Sequence, residues 1–274
     1  MESNDRELRR SKIKIRILSA IFLISVGLMI AFGVGIFLEM RETGQGQSFY
    51  SAVAVEFKPR IIAPLPAPLV INPDTQDAAE PTETEFVPFM DFDALREQFP
   101  NIVGWIQSQG TIINYPIVQG TDNDFYLDHL PDGTRHRWGS IYLDYRNAPD
   151  LTDSSIIIYG HDMASGDMFG SFLHYHNQDY FEQHPSMFIF TPTGNYLLTL
   201  FAGYVLDATQ EHPPMFFIDE AAFDMYISDI RNRSIFTSDV EVNFGDRVVF
   251  LATCTRGGSR HGRLIIVGKL DALQ

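Results

Sequence analysis

The longest uninterrupted apolar stretch of the chain lies near the N-terminus. Residues 17–38, ILSAIFLISVGLMIAFGVGIFL, are 22 consecutive uncharged positions, and a helix rising about 1.5 Å per residue crosses a hydrocarbon core of about 30 Å at that length. A buried helix of a soluble domain is the alternative, but this stretch is apolar all round and offers no polar face. Six basic residues precede it, so the positive-inside rule places residues 1–16 in the cytoplasm and the rest of the chain outside.

A cleaved signal peptide is the competing interpretation of this stretch. The apolar region of a signal peptide is about 7–15 residues long and ends at a small-residue cleavage site. Here the stretch is longer, and the nearest A-x-A sequence begins only at Ala52. We therefore predict a single uncleaved transmembrane anchor over residues 17–38.

Proline dominates the segment that follows the anchor. Seven of the fifteen prolines fall between Pro59 and Pro88, and the intervening residues show no sustained apolar period. Such composition is typical of an extended spacer. We interpret residues 39–88 as a proline-rich extracellular linker and residues 89–274 as the folded domain.

Short apolar runs bounded by turn residues fill the folded domain. A short amphipathic helix is predicted around Phe92–Phe99, ending near Pro100, and a longer one over 219–233 with Asp219 as its N-cap. Thr193-Gly194-Asn195 is a hairpin-turn sequence. The other runs are predicted to be strands: 111–118, 138–144, 154–160, 187–192, 196–206, 246–254 and 263–270. Many short strands separated by turns predict a mainly β domain, a barrel or a sandwich, with peripheral helices.

Charge and cysteine content narrow the classes of function. Residues 41–274 carry 14 basic and 31 acidic side chains, which argues against binding to nucleic acid and against lying flat on anionic lipid. Cys254 is the one cysteine of the chain, so it has no intramolecular disulfide partner. An unpaired thiol in an exported protein is either reactive or paired between chains.

The cysteine stands where an apolar run meets a basic loop. The sequence VVFLATCTRGGSRHGRLIIVGKL places Cys254 at the end of one predicted strand and Arg263 at the start of the next. If the two strands form a hairpin, these residues stand close together at one rim, where strands hold side chains rigidly. The loop carries Arg256 and Arg260 and no acid, and nearby cations favour the thiolate over the thiol. Arg263 is either a solvated charge or a donor to a developing oxyanion.

A cysteine nucleophile needs a partner that transfers protons. His161 closes the apolar run SIIIYGH and so stands at a strand end, whereas His261 lies in the loop next to the cysteine and is a rival. His174 and His176 alone would make an incomplete metal site, and we expect neither a metal nor a cofactor. Six histidines lie in contexts that suggest no special placement: His129, His136, His174, His176, His184 and His212.

These motifs together resemble a known family. LATC followed nine residues later by Arg263, with YGH earlier in the chain, resembles the signature of the sortases, membrane-anchored cysteine transpeptidases of Gram-positive bacteria. The segments NIVGWI, INYPIVQGTDNDFYL, GSIYLDYRN, IIIYGHDM with MFGSF, and RLIIVGKL are similar to class B sortases in order and spacing, over about residues 90–270. The resemblance implies a closed sortase-type β-barrel.

The resemblance also implies a mechanism. Cys254 would attack the Thr carbonyl of a C-terminal sorting signal in a secreted protein, His161 would carry protons, and Arg263 would steady the oxyanion. An amine of a cell-wall precursor or a pilin would resolve the thioester. Asn123 and Leu127 would lie in the groove that binds the signal.

Two other functions are weighed against this one. A papain-like thiol protease would release its product to water, but the sequence lacks the C-G-[SA]-C-[WY] context of that family around Cys254. A membrane-anchored surface module without activity would use its cysteine structurally or to cross-link chains. A histidine-dependent thiolate that reacts with an alkylating agent at or below neutral pH distinguishes the enzymes from the module.

Overall fold

The computed structural model describes residues 2–57, 90–254 and 262–273. In these ranges it contains four α-helices, two 3₁₀ helices (Phe125–Leu127 and Phe169–His176) and eight strands. The helices are α1 (Glu2–Phe57), α2 (Phe92–Gln98), α3 (Gln178–Gln183) and α4 (Glu220–Asn232). The strands are β1 (Ile102–Gln107), β2 (Asn114–Gln119), β3 (Ile141–Leu143), β4 (Ser155–Tyr159), β5 (Ser186–Thr191), β6 (Gly194–Asp207), β7 (Val248–Cys254) and β8 (Gly262–Ala272).

The strands of the described residues close into a barrel with the order β1-β2-β3-β4-β7-β8-β6-β5. β2 pairs with β3, and β4 with β7, in parallel; the other neighbouring pairs are antiparallel. Closure pairs every strand on both sides and so removes exposed sheet edges. Of the two architectures that the sequence allowed, the barrel is confirmed, and the sandwich is wrong.

Helix α4 covers part of the outside of the barrel. Asp219 caps it by accepting a hydrogen bond from the Ala222 N–H at 2.8 Å, as the sequence predicted. Its buried residues Phe223, Ile227 and Ile230 share one hydrophobic cluster with β4, β6, β7 and β8. These strands are therefore apolar on both faces, which explains their nearly continuous apolar sequences.

Most predicted strands are confirmed, with three differences. β1 was not predicted, because its six residues follow α2 so closely that they resemble the tail of the helical pattern. The β5–β6 hairpin has Pro192 and Thr193 as its loop, since Thr191 pairs with Gly194, one residue earlier than expected. The run 138–144 is a strand only at β3; Gly139 before it has a φ of +52°, which no strand allows.

The N-terminal part of α1 is a candidate membrane anchor. By length and composition the helix from Leu18 to Phe57 can cross a membrane, with a mean hydropathy of 2.7 in its most apolar window. None of that window is buried in the protein. The predicted anchor at 17–38 lies in this part of the helix.

The interpretation of residues 39–57 as extended spacer is wrong, because α1 continues through them to Phe57. The first proline after the anchor is Pro59, so nothing breaks the helix earlier. Residues 50–57 belong to the same compact unit as the barrel. There Tyr50 is buried and donates a hydrogen bond to the Gly139 carbonyl at 2.5 Å. The remainder of the predicted spacer, residues 58–89, lies outside the described residues.

Candidate active site

Three strand ends meet at one rim of the barrel. In the parallel pair β4–β7, Tyr159 lies opposite Ala252, and the Gly160 N–H continues the pairing to the Ala252 carbonyl at 3.1 Å. His161 and Cys254 each stand two residues beyond that pair. The antiparallel pair β7–β8 places Cys254 opposite Arg263. The predicted hairpin is thus confirmed, and the backbone positions of all three residues share one rim.

A cavity of about 410 Å³ opens at this rim. It is lined by four residues that the sequence analysis assigned to the site: Asn123, Leu127, His161 and Arg263. The side chain of Cys254 lies outside the described part of the structure, as does the loop 255–261 with Arg256, Arg260 and His261. The other residues that line the cavity are Asp124, Tyr142, Tyr159, Gly160, Leu206, Ala208, His212, Pro213, Ala252, Thr253 and Ile265.

His161 is held from both sides. Its ring Nε2 lies 2.5 Å from the Leu127 carbonyl oxygen, and its own carbonyl accepts from the Phe169 N–H at 2.9 Å. Because a carbonyl only accepts, Nε2 carries the proton in this arrangement, and Nδ1 of the neutral ring is the acceptor. The glycine before it is required by space, since a Cβ on Gly160 would lie 2.5 Å from Ile141 Cδ1 and 2.6 Å from the Phe169 ring.

Arg263 is partly buried at the start of β8. One of its terminal nitrogens, Nη1, donates to the carbonyl of Gly262 at 3.0 Å, which ties the side chain to its own strand. A guanidinium carries five N–H donors in a fixed plane, so this bond leaves other donors for a ligand in the cavity. The arrangement suits the binding of negative charge on an oxygen.

A buried carboxylate stands behind the cavity. The Asp144 side chain has no exposed surface, and it accepts from Arg146 Nε and Nη2, each at 2.8 Å. Asn123 Nδ2 and the Tyr159 hydroxyl also donate to it, at 2.9 and 3.1 Å. Burial raises the pKa of the Asp144 carboxyl, but the hydrogen bonds from Arg146 and Asn123 and the charge of Arg146 outweigh burial and lower that pKa to about 2. Burial, then the neighbouring Asp144 charge, raises the pKa of the Tyr159 hydroxyl.

Sequence reasoning missed three residues of this region. Asp144 directly follows the apolar run of IYLD, and Tyr159 ends the run SIIIY. A position at a strand end is the same signal that drew attention to His161. His212 was given no role, yet it lines the cavity. It lies in the connection between β6 and α4, and nothing in its local sequence indicates where that connection crosses the barrel.

The described residues offer no cluster of metal ligands. No group of three or more His, Cys, Asp or Glu side chains in those ranges could hold a metal ion. The rim instead brings together the backbone positions of Cys254, His161 and Arg263, and the last two of these residues line the cavity.

A closed mixed β-barrel that brings a cysteine, a histidine and an arginine to one rim is the arrangement of a sortase, a cysteine transpeptidase. No family model matches the sequence, but individual proteins do. Sortase B of Listeria monocytogenes is 36% identical over 171 residues, which are 62% of this chain and 70% of that protein. Sortase B of Staphylococcus aureus is 30% identical over 180 residues, 65% of this chain and 74% of that protein.

Solved structures agree with these sequence relatives. Sortase B from B. anthracis in complex with AAEK1 superposes with a TM-score of 0.68 at 27% identity, covering 85% of this chain and all of that one. Sortase B from S. aureus complexed with MTSET gives a TM-score of 0.63 at 29% identity, covering 67% and 78%. The chain belongs to the sortase B family and is a sortase cysteine transpeptidase.

Proposed function

We propose that this sortase cleaves a C-terminal sorting signal of secreted proteins after a Thr residue and joins the new end to an amine of a cell-wall precursor or a pilin. The observation that carries the proposal is the strand register, which pairs Cys254 with Arg263 and, through the Tyr159–Ala252 pair, puts His161 at the same rim, two residues beyond Tyr159. Sortase B of S. aureus has been solved as a substrate complex, and a sortase B has been solved in complex with triglycine. By analogy, the cavity here takes the signal peptide, and an amine enters at the same rim.

The acylation step follows from the three side chains. The Cys254 thiolate attacks the Thr carbonyl carbon, and the carbonyl π electrons move to oxygen, where Arg263 faces the negative charge. Collapse of this intermediate breaks the peptide C–N bond, and His161 in its protonated form gives a proton to the leaving amine. The products are a thioester on Cys254 and the released C-terminal fragment.

The second step reverses the roles. An incoming amine attacks the thioester carbon, and His161, now neutral, takes the proton that the amine loses. The C–S bond breaks, the thiolate leaves, and an amide forms. Asn123 and Leu127, which line the cavity, are proposed to contact the signal peptide during both steps.

The proposed topology gives this chemistry a location on the cell surface. Residues 1–16 are placed in the cytoplasm and 17–38 in the membrane, by the distribution of basic residues. Residues 39–57 continue the helix beyond the anchor, and residues 58–88 are proposed to complete the connection to the catalytic barrel at 89–274 outside the cell. The partners are then secreted proteins that carry a sorting signal, and the membrane that the N-terminal helix enters.

The test uses the full chain in detergent micelles, a sorting-signal peptide library and triglycine, with products identified by mass. Wild-type enzyme should yield the amide of the peptide with triglycine, whereas a thiol protease would yield only the free acid. Cys254→Ala should yield neither, and His161→Ala should lose about 10²–10⁴-fold in rate. His261→Ala is the matched control and should keep most of the rate. Product from Cys254→Ala, or collapse of His261→Ala with a near-normal His161→Ala, would overturn the assignment.

Arg263 is tested in the same assay. An oxyanion needs donors aimed at one point, and a guanidinium supplies a planar fork that an ammonium does not copy. Arg263→Lys should therefore be nearly as slow as Arg263→Ala, about 10²–10³-fold below wild type in kcat. Arg256→Ala, in the adjacent loop, is the control for diffuse charge. A Lys variant within about threefold of wild type would rule out the oxyanion role, since that is under about 1 kcal/mol of barrier.

A further inference from the structure

The buried carboxylate of Asp144 takes no part in the steps above, yet it touches the cavity through two other residues. Asp144 directly follows β3. Its side chain has no exposed surface, whereas the Arg146 side chain is 48% exposed. Arg146 grips both carboxylate oxygens through its side chain and donates a third bond from its backbone N–H at 3.0 Å. A buried charge with this many donors is costly to assemble and is retained only where its partners compensate it.

The two other donors to Asp144 are residues that line the cavity. Asn123 donates from Nδ2 to Asp144, and its Oδ1 accepts from the Tyr145 N–H at 3.1 Å. The amide of Asn123 therefore has one orientation, because a flipped amide would face a donor with a donor and an acceptor with an acceptor. The Tyr159 hydroxyl donates a hydrogen bond to the same carboxylate oxygen.

This arrangement fixes what the two side chains can offer a ligand. Asn123 keeps one N–H of Nδ2 as a donor, and Tyr159 keeps its hydroxyl lone pairs as acceptors. A donor and an acceptor held side by side match the C=O and N–H of a peptide backbone. An amide at position 144 would keep only one acceptor oxygen and would turn an NH₂ group toward Arg146 or toward these donors.

We propose that Asp144 is a positioning residue for the peptide substrate: it orients the Asn123 amide and the Tyr159 hydroxyl toward peptide groups of the bound signal. The proposal rests on the proposed function, in which this cavity takes the sorting signal. Asp144 acts through Asn123 and Tyr159, which in this proposal hold peptide groups that do not react, so the binding that it supports is the same in the ground state and the transition state. Loss of such uniform binding raises KM and leaves kcat nearly unchanged.

Asp144→Asn in the full chain should raise KM for the signal peptide at least tenfold, with kcat within about threefold of wild type. Asp153→Asn is the matched control. Asp153 is a carboxylate of the same connection between β3 and β4 and accepts from Asn147 Nδ2 at 2.8 Å and the Ala148 N–H at 2.7 Å, but it does not bond to Asn123 or Tyr159. A merely structural role would give both variants the same kinetic constants once active enzyme is counted by thiol alkylation.

A double-mutant cycle separates positioning from loop stability. In an Asn123→Ala and Tyr159→Phe background, Asp144→Asn should change KM less than twofold, because the groups that it positions are gone. A further tenfold rise in that background would overturn the proposal, as would Asp144→Asn with an unchanged KM or with a loss confined to kcat.

Two more arms keep every outcome informative. If Asp144→Asn does not fold, Arg146→Gln, which keeps the carboxylate but removes its bidentate partner, should raise KM at least threefold, and an unchanged KM would overturn the proposal. Wild type and Cys254→Ala run in parallel. No product from wild type, or product from Cys254→Ala, means that the proposed function has failed, whereas normal behaviour of both with no KM effect means that only the role of Asp144 has failed.

Discussion

Replacing Gly139 by alanine should damage both stability and catalysis, because this glycine is pressed against the backbone that holds His161. Its φ is +52°, and an added Cβ would lie 2.6 Å from the Tyr126 carbonyl oxygen and closer still to that of Leu127. The Leu127 oxygen is the one that accepts from His161 Nε2. Gly133 offers a matched control, since its φ is +80° but nothing lies within 4 Å of an added Cβ.

Both glycines have a positive φ, so the difference between the two variants in the free energy of unfolding measures only the steric clash of the added Cβ at Gly139. A left-handed residue with a side chain costs about 1–2 kcal/mol, and the stiffer unfolded chain returns about 0.4–1 kcal/mol, so Gly133→Ala should cost about 1 kcal/mol. Overpacking adds about 1–3 kcal/mol, so Gly139→Ala should cost about 2–4 kcal/mol.

Catalysis should separate the variants further. A displaced Leu127 carbonyl shifts the His161 ring, and a misplacement of about 1 Å is worth up to about 100-fold in rate. We expect Gly139→Ala to lose at least tenfold in kcat and Gly133→Ala less than twofold. The measurements are chemical or thermal unfolding of the full chain and steady-state transpeptidation well below the melting temperature. Equal stability losses within about 0.5 kcal/mol, or equal kcat values, would refute the steric link from Gly139 to His161.

Two further predictions concern the end of α1 and the Asp144 carboxylate. Val53→Ala should destabilise the protein by about 2 kcal/mol, because Val53 is 6% exposed, whereas Val55→Ala in the same helix should change stability by less than about 0.5 kcal/mol, because Val55 is 84% exposed; equal effects in thermal unfolding would show that residues 50–57 do not pack on the domain. Asp144 has a folded pKa of about 2 against an ordinary 3.8, so its contribution of about 2 kcal/mol is present above pH 3.8 and is lost as pH falls toward 2. Denaturation at a series of pH values should therefore show Asp144→Asn less stable than wild type at pH 7 and the difference closing between about pH 4 and 2; a constant difference would contradict the ionised carboxylate.

Local patterns predicted the hairpin at the site and the strand β4 beside it, but not the pairing of that strand with β7. Two apolar runs joined by eight loop residues favour antiparallel pairing, so the alignment of Cys254 with Arg263 follows from the sequence. The pairing of β4 with β7 is parallel and joins strands about 90 residues apart. No local feature encodes such a partner, and His161 was favoured over His261 by its position at a strand end and by the resemblance to sortases.

The residues that the sequence did not reveal depend on tertiary register. Asp144 and Tyr159 come from separate segments, and the hydrogen bond between them exists only because β3 and β4 pair with Leu143 opposite Ile158. The helical continuation over 39–57 was missed for a different reason. The prolines that suggested a spacer all lie at Pro59 or later, and the buried positions Tyr50 and Val53 are too few to stand out as a helical period.

The topology explains why the three residues proposed to carry the reaction meet at one rim. β4 and β7 run in parallel and therefore end at the same side of the barrel, and β8, antiparallel to β7, begins there. The second residue after β4, the last residue of β7 and an early residue of β8 are thus brought to one rim by strand direction alone. Seven consecutive pairs, from Val248 with Lys269 to Cys254 with Arg263, fix the register of the hairpin independently of the loop that joins it. The paired strands themselves therefore keep the backbone positions of Cys254 and Arg263 aligned at the rim.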